Sequence, residues 1–340
     1  MALLTVFTPA YNRASTLPRT YQSLCEQECK DFIWLIVDDG SSDNTRELVE
    51  GWKNQDNGFE IQYIYKKNGG MHTAHNVAYE NIHTELNVCI DSDDRMAEGA
   101  VKKIKTAWLK VRNKNYAGLI GLDADMNTGR IIGKDFSYGL KETTLGGYYA
   151  SGGEGDKKLV YRTDVINSVP PYPVFEGEKY VGLVYKYTLI DQKYKLFVLN
   201  DVLCDVEYQM DGSSNTMFRQ YLKNPKGFAF LRKVAMTYPT SKKRLIRDCI
   251  HYCSSSLIAG NKNHPEVCGI IGHCASDCYT FNNEAELDDL LPNILKENNK
   301  QVQIVAQTTF DTQEWKKCVK KIKKLCTNAK IFDTICNATQ

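Results

Sequence analysis

The sequence predicts an α/β fold: a mixed, mainly parallel sheet flanked by helices, followed by a small C-terminal α/β segment. Three observations carry this. Apolar, β-rich runs alternate with helical patterns from Leu3 to Val111. Several of those runs end in short polar turns rich in Asp, Gly and Asn. Near residue 257 the composition changes character. Strands alternating with helices in this way favour parallel pairing through crossover helices.

The elements follow in order. Leu3 to Thr8 reads as a buried first strand, and Leu17 to Gln27 as a helix. Phe32 to Val37 is the second strand, with a helix from Asn44 to Asn54. Ile61 to Lys66 is the third strand; Ala74 to Asn81 is helical, and Leu86 to Ile90 is the fourth strand. A helix follows from Gly99 to Val111. The stretch from Asn113 to Gly155, rich in Gly, Asp and Tyr, is expected to hold loops and edge strands. Pro170, Pro171 and Pro173 mark an extended connection, since proline supplies no backbone donor. Val181 to Leu189 is predicted helical, Lys195 to Leu199 a strand, and Asn215 to Leu231 and Ser241 to Ser256 two further helices. Beyond residue 257, helices are expected over Glu284 to Leu295 and over the basic stretch Gln313 to Leu325.

The chain has 340 residues, long enough for more than one domain. Its net charge of +2 gives no reason to expect nucleic-acid binding. The basic runs at Lys242–Arg244 and Lys316–Lys324 read as solvated helix faces. No apolar stretch reaches the ~18 residues that a membrane span needs. The N-terminus is expected to enter a strand almost at once, without a signal peptide. The 12 cysteines are irregularly spaced, with no C-x-x-C pair. Free thiols in a reducing cytoplasm are expected, rather than disulfides or structural zinc.

Four segments carry the chemistry: Thr8-Pro9-Ala10-Tyr11-Asn12-Arg13, Val37-Asp38-Asp39-Gly40 with the loop to Thr45, Asn68 to Asn76, and Asp91-Ser92-Asp93-Asp94. Two of them close predicted strands, and ligands of open α/β sheets bind beyond the carboxyl ends of strands. Carboxylates placed there suit a hard divalent cation and a phosphate ligand. Closely spaced like charges repel and are costly without a cation. Tyr11 can stack on a base. Ser42 and Asp43 are the better helix-capping candidates, which leaves Asp39 free for ligand. The glycine pair at Gly69 and Gly70 lets the backbone approach a ligand closely. His72 and His75 have two roles open to them, lining a pocket or packing in the core.

The order and spacing of these four segments resemble the family 2 glycosyltransferases over residues 1 to about 255. That resemblance implies a GT-A fold, a nucleotide-sugar donor with uridine favoured, and Mg²⁺ or Mn²⁺. It divides the region into a nucleotide-sugar-binding half, 1–98, and an acceptor-binding half with C-terminal helices, 99–256. By it, Thr8, Pro9, Tyr11, Arg13, Asp39, Gly70, His75, Asn76, Asp91 and Asp93 belong to the donor site. Asp93 and Asp94 stand near the metal with Asp91 in support. An Arg is common in the family where His75 stands. The family's inverting members take the acceptor proton with a carboxylate downstream of the acidic cluster. In Phe175-Glu176-Gly177-Glu178-Lys179, Glu178 fits best and Glu176 second, with Lys179 where an Asp is usual. The loop Gln209 to Asn215 is suited to closing over donor or acceptor. The implied acceptor is an envelope glycan or a lipid-linked glycan, with the protein cytoplasmic and peripheral to the inner membrane face.

The remainder, 257–340, resembles the central part of 4-hydroxy-3-methylbut-2-enyl diphosphate reductase, an iron–sulfur enzyme. His264 and Glu266 match its substrate-binding His and proton-delivering Glu, Thr308 its substrate-contacting Thr, and Cys336 its last cluster ligand. Counterparts of the other two cluster cysteines and of the Ser-x-Asn diphosphate clamp are missing. One thiolate cannot hold a cluster that needs three or four, so no functional iron–sulfur centre is expected. Two rival readings stand beside the transferase. A nucleotidyltransferase would normally show a Gly-rich phosphate loop after the first strand, but Pro9 to Arg13 has no glycine. A glycan-binding protein with an inactive site would not need Asp39, Asp91, Asp93 and Asp94 together.

Overall fold

A computed structural model of the chain describes residues 2–207, 217–239, 241–259, 284–285, 287–289, 303–305, 312–325 and 330–332. The chain divides into two compact units, Met1–Lys242 and Lys243–Gln340. The expected closing loop, Gln209 to Asn215, lies outside the described residues.

The first unit is built on one sheet. Its strands are β1 (Leu4–Ala10), β2 (Phe32–Asp38), β3 (Glu60–Tyr65), β4 (Leu86–Cys89), β5 (Arg95–Met96), β6 (Tyr116–Asp125), β7 (Glu142–Thr143), β8 (Lys157–Arg162) and β9 (Lys195–Val206). Their order is β3-β2-β1-β4-β8-β6-β9-β5, with β7 also on β9. The first four strands pair in parallel. β8 then runs antiparallel between β4 and β6, and β6 returns to parallel pairing with β9.

Alternation along β2 shows how the sheet is buried. Trp34 and Ile36 face one apolar cluster, with Leu17, Leu24, Val49, Trp52, Ile104 and Trp108. Those partners come from α1 (Leu17–Cys25), α2 (Thr45–Lys53) and α4 (Ala100–Val111). Leu35 and Val37 face the opposite cluster, with Ala74 and Ala78 of α3 (Met71–Asn81). α5 (Leu145–Ala150), α6 (Thr163–Asn167) and α7 (Val184–Ile190) add Tyr148, Val165 and Tyr185 to that side. A sheet covered on both faces reads as continuous apolar runs, as β1 and β2 do.

Two expectations need correction. The stretch from Asn113 to Gly155 holds no mere edge: β6 is a ten-residue strand in the sheet interior, eight of its residues buried. Its glycines and acids disguised it. A Cβ at Gly118 would meet the Val160 carbonyl oxygen at 1.9 Å, and one at Gly121 the Leu203 side chain at 2.4 Å, so close strand approach needs both glycines. The polar β8 (Lys157–Arg162) and the short α6 had no predicted counterpart. The helix expected over Asn215 to Leu231 is two helices, α8 (Met217–Lys223) and α9 (Pro225–Thr237). Pro225 cannot continue α8 and opens α9 instead.

The second unit contains α10 (Lys242–Ile258), α11 (Thr312–Leu325) and a parallel pair, β10 (Gln303–Val305) with β11 (Lys330–Phe332). Lys321 on α11 pairs with Glu284 and Asp288. His264, Glu266, Thr308 and Cys336 lie outside the described residues.

Candidate active site

The carboxyl ends of β1 to β4 gather all four sequence segments. Register sets Ala10 beside Asp38, and Asp38 beside Tyr65. The Ile90 amide donates to the Phe7 carbonyl at 3.0 Å, which brings Asp91 to the same edge. Tyr11 is half-exposed there, free to stack. Asn12 is held at a positive φ of 53°. Its side-chain Oδ1 accepts from the Ser42 backbone amide at 2.8 Å, and its own backbone amide donates to Ser41 Oγ at 2.8 Å. This tie locks the turn after β1 to the loop after β2. Asp43 accepts from the Ala14 and Thr45 amides at 3.0 and 3.1 Å, as a residue ordering the start of α2.

Several expected ligand residues instead build the site's frame. Thr8 is fully buried and accepts from Trp34 Nε1 at 3.0 Å, with Pro9 buried beside it. Asp39 is not free. Its carboxylate pairs with Lys66 and accepts from the Gly69 amide at 2.9 Å, the Gly70 amide at 2.7 Å and Asn68 Nδ2 at 3.2 Å. Asp39 thus anchors the 66–70 loop, since a carboxylate that already holds four donors has little left for a base. Asn76 exchanges two hydrogen bonds of 2.9 Å with the Tyr172 backbone, tying α3 to the proline-rich connection. Arg13 is half-buried and draws the Asp93 carboxyl down, against the burial that raises it.

The two histidines of α3 are core residues. His75 is fully buried, its ring edge-on to Phe7 with centroids 5.0 Å apart, and burial pushes its pKa down to about 3. His72 is buried with both ring nitrogens unpartnered, and burial pushes it down to about 4. Gly70 has a φ of +95°, and a Cβ there would meet the Lys179 carbonyl oxygen at 2.0 Å. That contact sets the 176–179 loop against the start of α3.

The acidic cluster divides by burial. Asp91 and Asp93 are half-buried, whereas Asp94 is 4% exposed. Cys204 donates to Asp94 Oδ2 at 3.7 Å, and burial pushes Asp94 up to about 7 against the pull of Lys158. Asp94 therefore does not stand with Asp93 at the open edge. Arg19 reaches the Asp93 carbonyl and pairs with Glu207 at 2.5 Å. No three His, Cys, Asp or Glu side chains converge on one metal position among the described residues. The half-buried carboxylates of Asp91 and Asp93 are the donors that a hard divalent cation would meet at this edge, since such ions take one or two carboxylates plus phosphate oxygens.

Glu178 is occupied as well. Its carboxylate accepts from the Lys226 and Gly227 amides at 2.9 and 2.8 Å, in the first turn of α9. A carboxylate there satisfies orphan donors and the helix dipole. Glu176, on the same loop, is exposed. Arg19, Lys66 and Lys158 gave no signal in the sequence, because each acts through contacts between distant segments.

Residues 5–157 match the family model for glycosyl transferase family 2, and residues 240–340 match that for LytB protein. The two matched stretches follow one another along the chain without overlap. The LytB segment brings 37% identity over 86 residues with 4-hydroxy-3-methylbut-2-enyl diphosphate reductase of Clostridium tetani, covering 25% of this chain and 12% of that protein. The reductase of Thermoanaerobacter sp. is 33% identical over 131 residues, 36% of this chain and 43% of its own. The putative teichuronic acid biosynthesis glycosyltransferase TuaG of Bacillus subtilis is 30% identical over 101 residues, 30% of this chain and 40% of its own. The chain thus spans less than half the length of each of these relatives. Among solved structures, S. aureus TarS 1–349 in complex with UDP-GlcNAc matches with a TM-score of 0.55 at 16% identity, over 87% of this chain and 81% of that one. This likeness shows a GT-A fold.

Proposed function

We propose that residues 1 to about 255 form an inverting glycosyltransferase that moves a sugar from a nucleotide-diphosphate donor to a glycan or lipid-linked hydroxyl. The observation that carries this reading is the gathering of exposed Tyr11 with half-buried Asp91 and Asp93 at the carboxyl edge of a GT-A sheet. Tyr11 stacks on the base. The glycine-bearing loop held by Asp39 lines the donor. Asp91 and Asp93 are the residues to hold Mg²⁺ or Mn²⁺, whose chemistry is to neutralise the departing diphosphate. Residues 1–98 supply the donor half and 99–256 the acceptor half. Uridine is the first nucleotide to test, since the TarS fold is seen with UDP-GlcNAc. Similarity to TuaG, named for teichuronic acid biosynthesis, supports a role in cell-envelope polysaccharide synthesis; among the described residues no helix is long and apolar enough to cross a membrane.

The acceptor proton goes to a carboxylate of the 176–179 loop. With Glu178 engaged at α9, Glu176 takes that role. Glu176→Gln is expected to lower transfer by about 10²–10⁴-fold while donor affinity stays unchanged. Glu178→Gln is expected to retain transfer and lose about 0.5–2 kcal/mol of stability through the weakened cap. A nucleotide-release assay and melting curves on both variants check this; loss of transfer in Glu178→Gln alone, with unchanged melting, returns the role to Glu178. The engaged Glu178 favours one rival, a glycan-binding protein on an inactive transferase fold. Turnover by the unaltered chain excludes that rival.

The LytB segment is proposed to be without reductase activity. Among the cluster ligands implied by its resemblance, Cys336 alone is present. Anaerobic reconstitution is expected to give no stoichiometric iron and no broad absorption near ~400 nm. Truncation near residue 256 is expected to leave transfer intact. A bound cluster, or a folded truncated protein without transfer, overturns this assignment.

A further inference from the structure

A buried polar chain runs from α3 to the acidic edge. Tyr79 Oη lies 3.2 Å from His75 Nδ1, His75 Nε2 lies 3.8 Å from Cys89 Sγ, and the Cys89 thiol donates to Asp91 Oδ1 at 3.6 Å. Cys89 closes β4, and Asp91 follows two residues later, so alternation returns both side chains to one side of the backbone.

The direction of each hydrogen bond follows from its neighbour. A thiol carries one proton, and at 3.6 Å it is directed to Asp91 Oδ1. The sulfur can then only accept from His75, which puts the imidazole proton on Nε2. Nδ1 is left as the acceptor for the Tyr79 hydroxyl. Three donors thus point one way, and aligned hydrogen bonds polarise one another in a low-dielectric interior. The ring itself is held by Phe7 at 5.0 Å, Tyr79 at 5.7 Å and Tyr172 at 6.2 Å between centroids, all near edge-on.

We infer that Cys89, oriented by His75, is a positioning residue for Asp91: it holds Oδ1 and leaves Oδ2 turned to the donor site. His75 acts on the donor through the thiol, not by touching it. The inference rests on the reading of Asp91 as a donor-site carboxylate. Outer partners of this kind matter because a ligand carboxylate free to rotate binds less well.

The test uses the full chain and Mn²⁺ with uridine diphosphate in calorimetry, alongside donor KM and kcat. Cys89→Ala is expected to weaken nucleotide binding about tenfold and to raise donor KM by the same factor, with kcat changed less. Cys89→Ser keeps a donor of similar size and is expected to restore wild-type binding. Equal binding by the wild type and Cys89→Ala overturns the inference alone. So does a Cys89→Ser protein that melts like the wild type yet binds as weakly as Cys89→Ala, since packing and not donation would then be what matters. A wild type that binds no nucleoside diphosphate overturns the donor-site reading, and this inference with it.

Discussion

Replacing Asp91 and Asp93 together by Asn is expected to abolish the divalent-metal dependence of uridine diphosphate binding, with affinity falling about 10²-fold or more. The two carboxylates are half-buried at the strand edge, where their charges oppose each other, and burial followed by the Asp91 charge raises the Asp93 pKa. A divalent cation held by these two carboxylates would remove that repulsion and would supply the charge that neutralises a departing diphosphate. Amides keep the shape but remove the charge. Asp94→Asn is expected to change nucleotide binding far less, because its side chain is buried beside Cys204. Calorimetry with Mn²⁺ and with chelator decides. Equal affinity for the wild type in both conditions would overturn the metal assignment.

The second large effect concerns Lys158. This lysine is nearly enclosed in the sheet, on β8 opposite Gly121 of β6, with Asp123 Oδ1 3.9 Å from its ammonium group. Burial works against its charge, but Asp123, Cys204, Asp94 and Asp91 outweigh burial and keep it protonated. Lys158→Met is expected to cost about 3–5 kcal/mol at pH 8, the usual penalty for orphaning a buried countercharge. The sign with pH follows from the partners. Burial pushes Asp123 up to about 6 and Asp94 up to about 7, with Lys158 opposing in each case. Below the ordinary carboxylate range both carry protons whether folded or not, so no buried anion loses its partner. As pH rises through about 6 to 7 they ionise in the wild type, and the variant must either leave them unpaired or keep them protonated against the solvent. The stability deficit therefore grows from pH 5 to pH 8. Melting curves at the two pH values check it; a deficit independent of pH would mean that Lys158 contributes packing rather than charge.

The contrast between Glu178 and Glu176 shows where linear reading stops. Both stand in one loop two residues apart, and nothing local separates a base from a cap. The separation comes from Lys226 and Gly227, whose amides take the Glu178 carboxylate from roughly fifty residues downstream. Asp39 illustrates the same limit: its four donors come from Lys66 to Gly70, so a residue that reads as free is the anchor of its neighbour loop.

The strands β1 to β4, their helices and the placing of Tyr11, Asp91 and Asp93 at strand ends were determined by sequence alone. Those features rest on local periodicity and on turn residues that follow apolar runs. The family resemblance was legible for a related reason, since ordered motifs lie along the chain. The interior place of β6, the burial of Asp94 beside Lys158 and the capping use of Glu178 were decided by the tertiary structure alone. Each depends on which side chains meet across strands far apart in sequence, and a side chain's partner and burial are fixed by register and packing rather than by its neighbours in the chain.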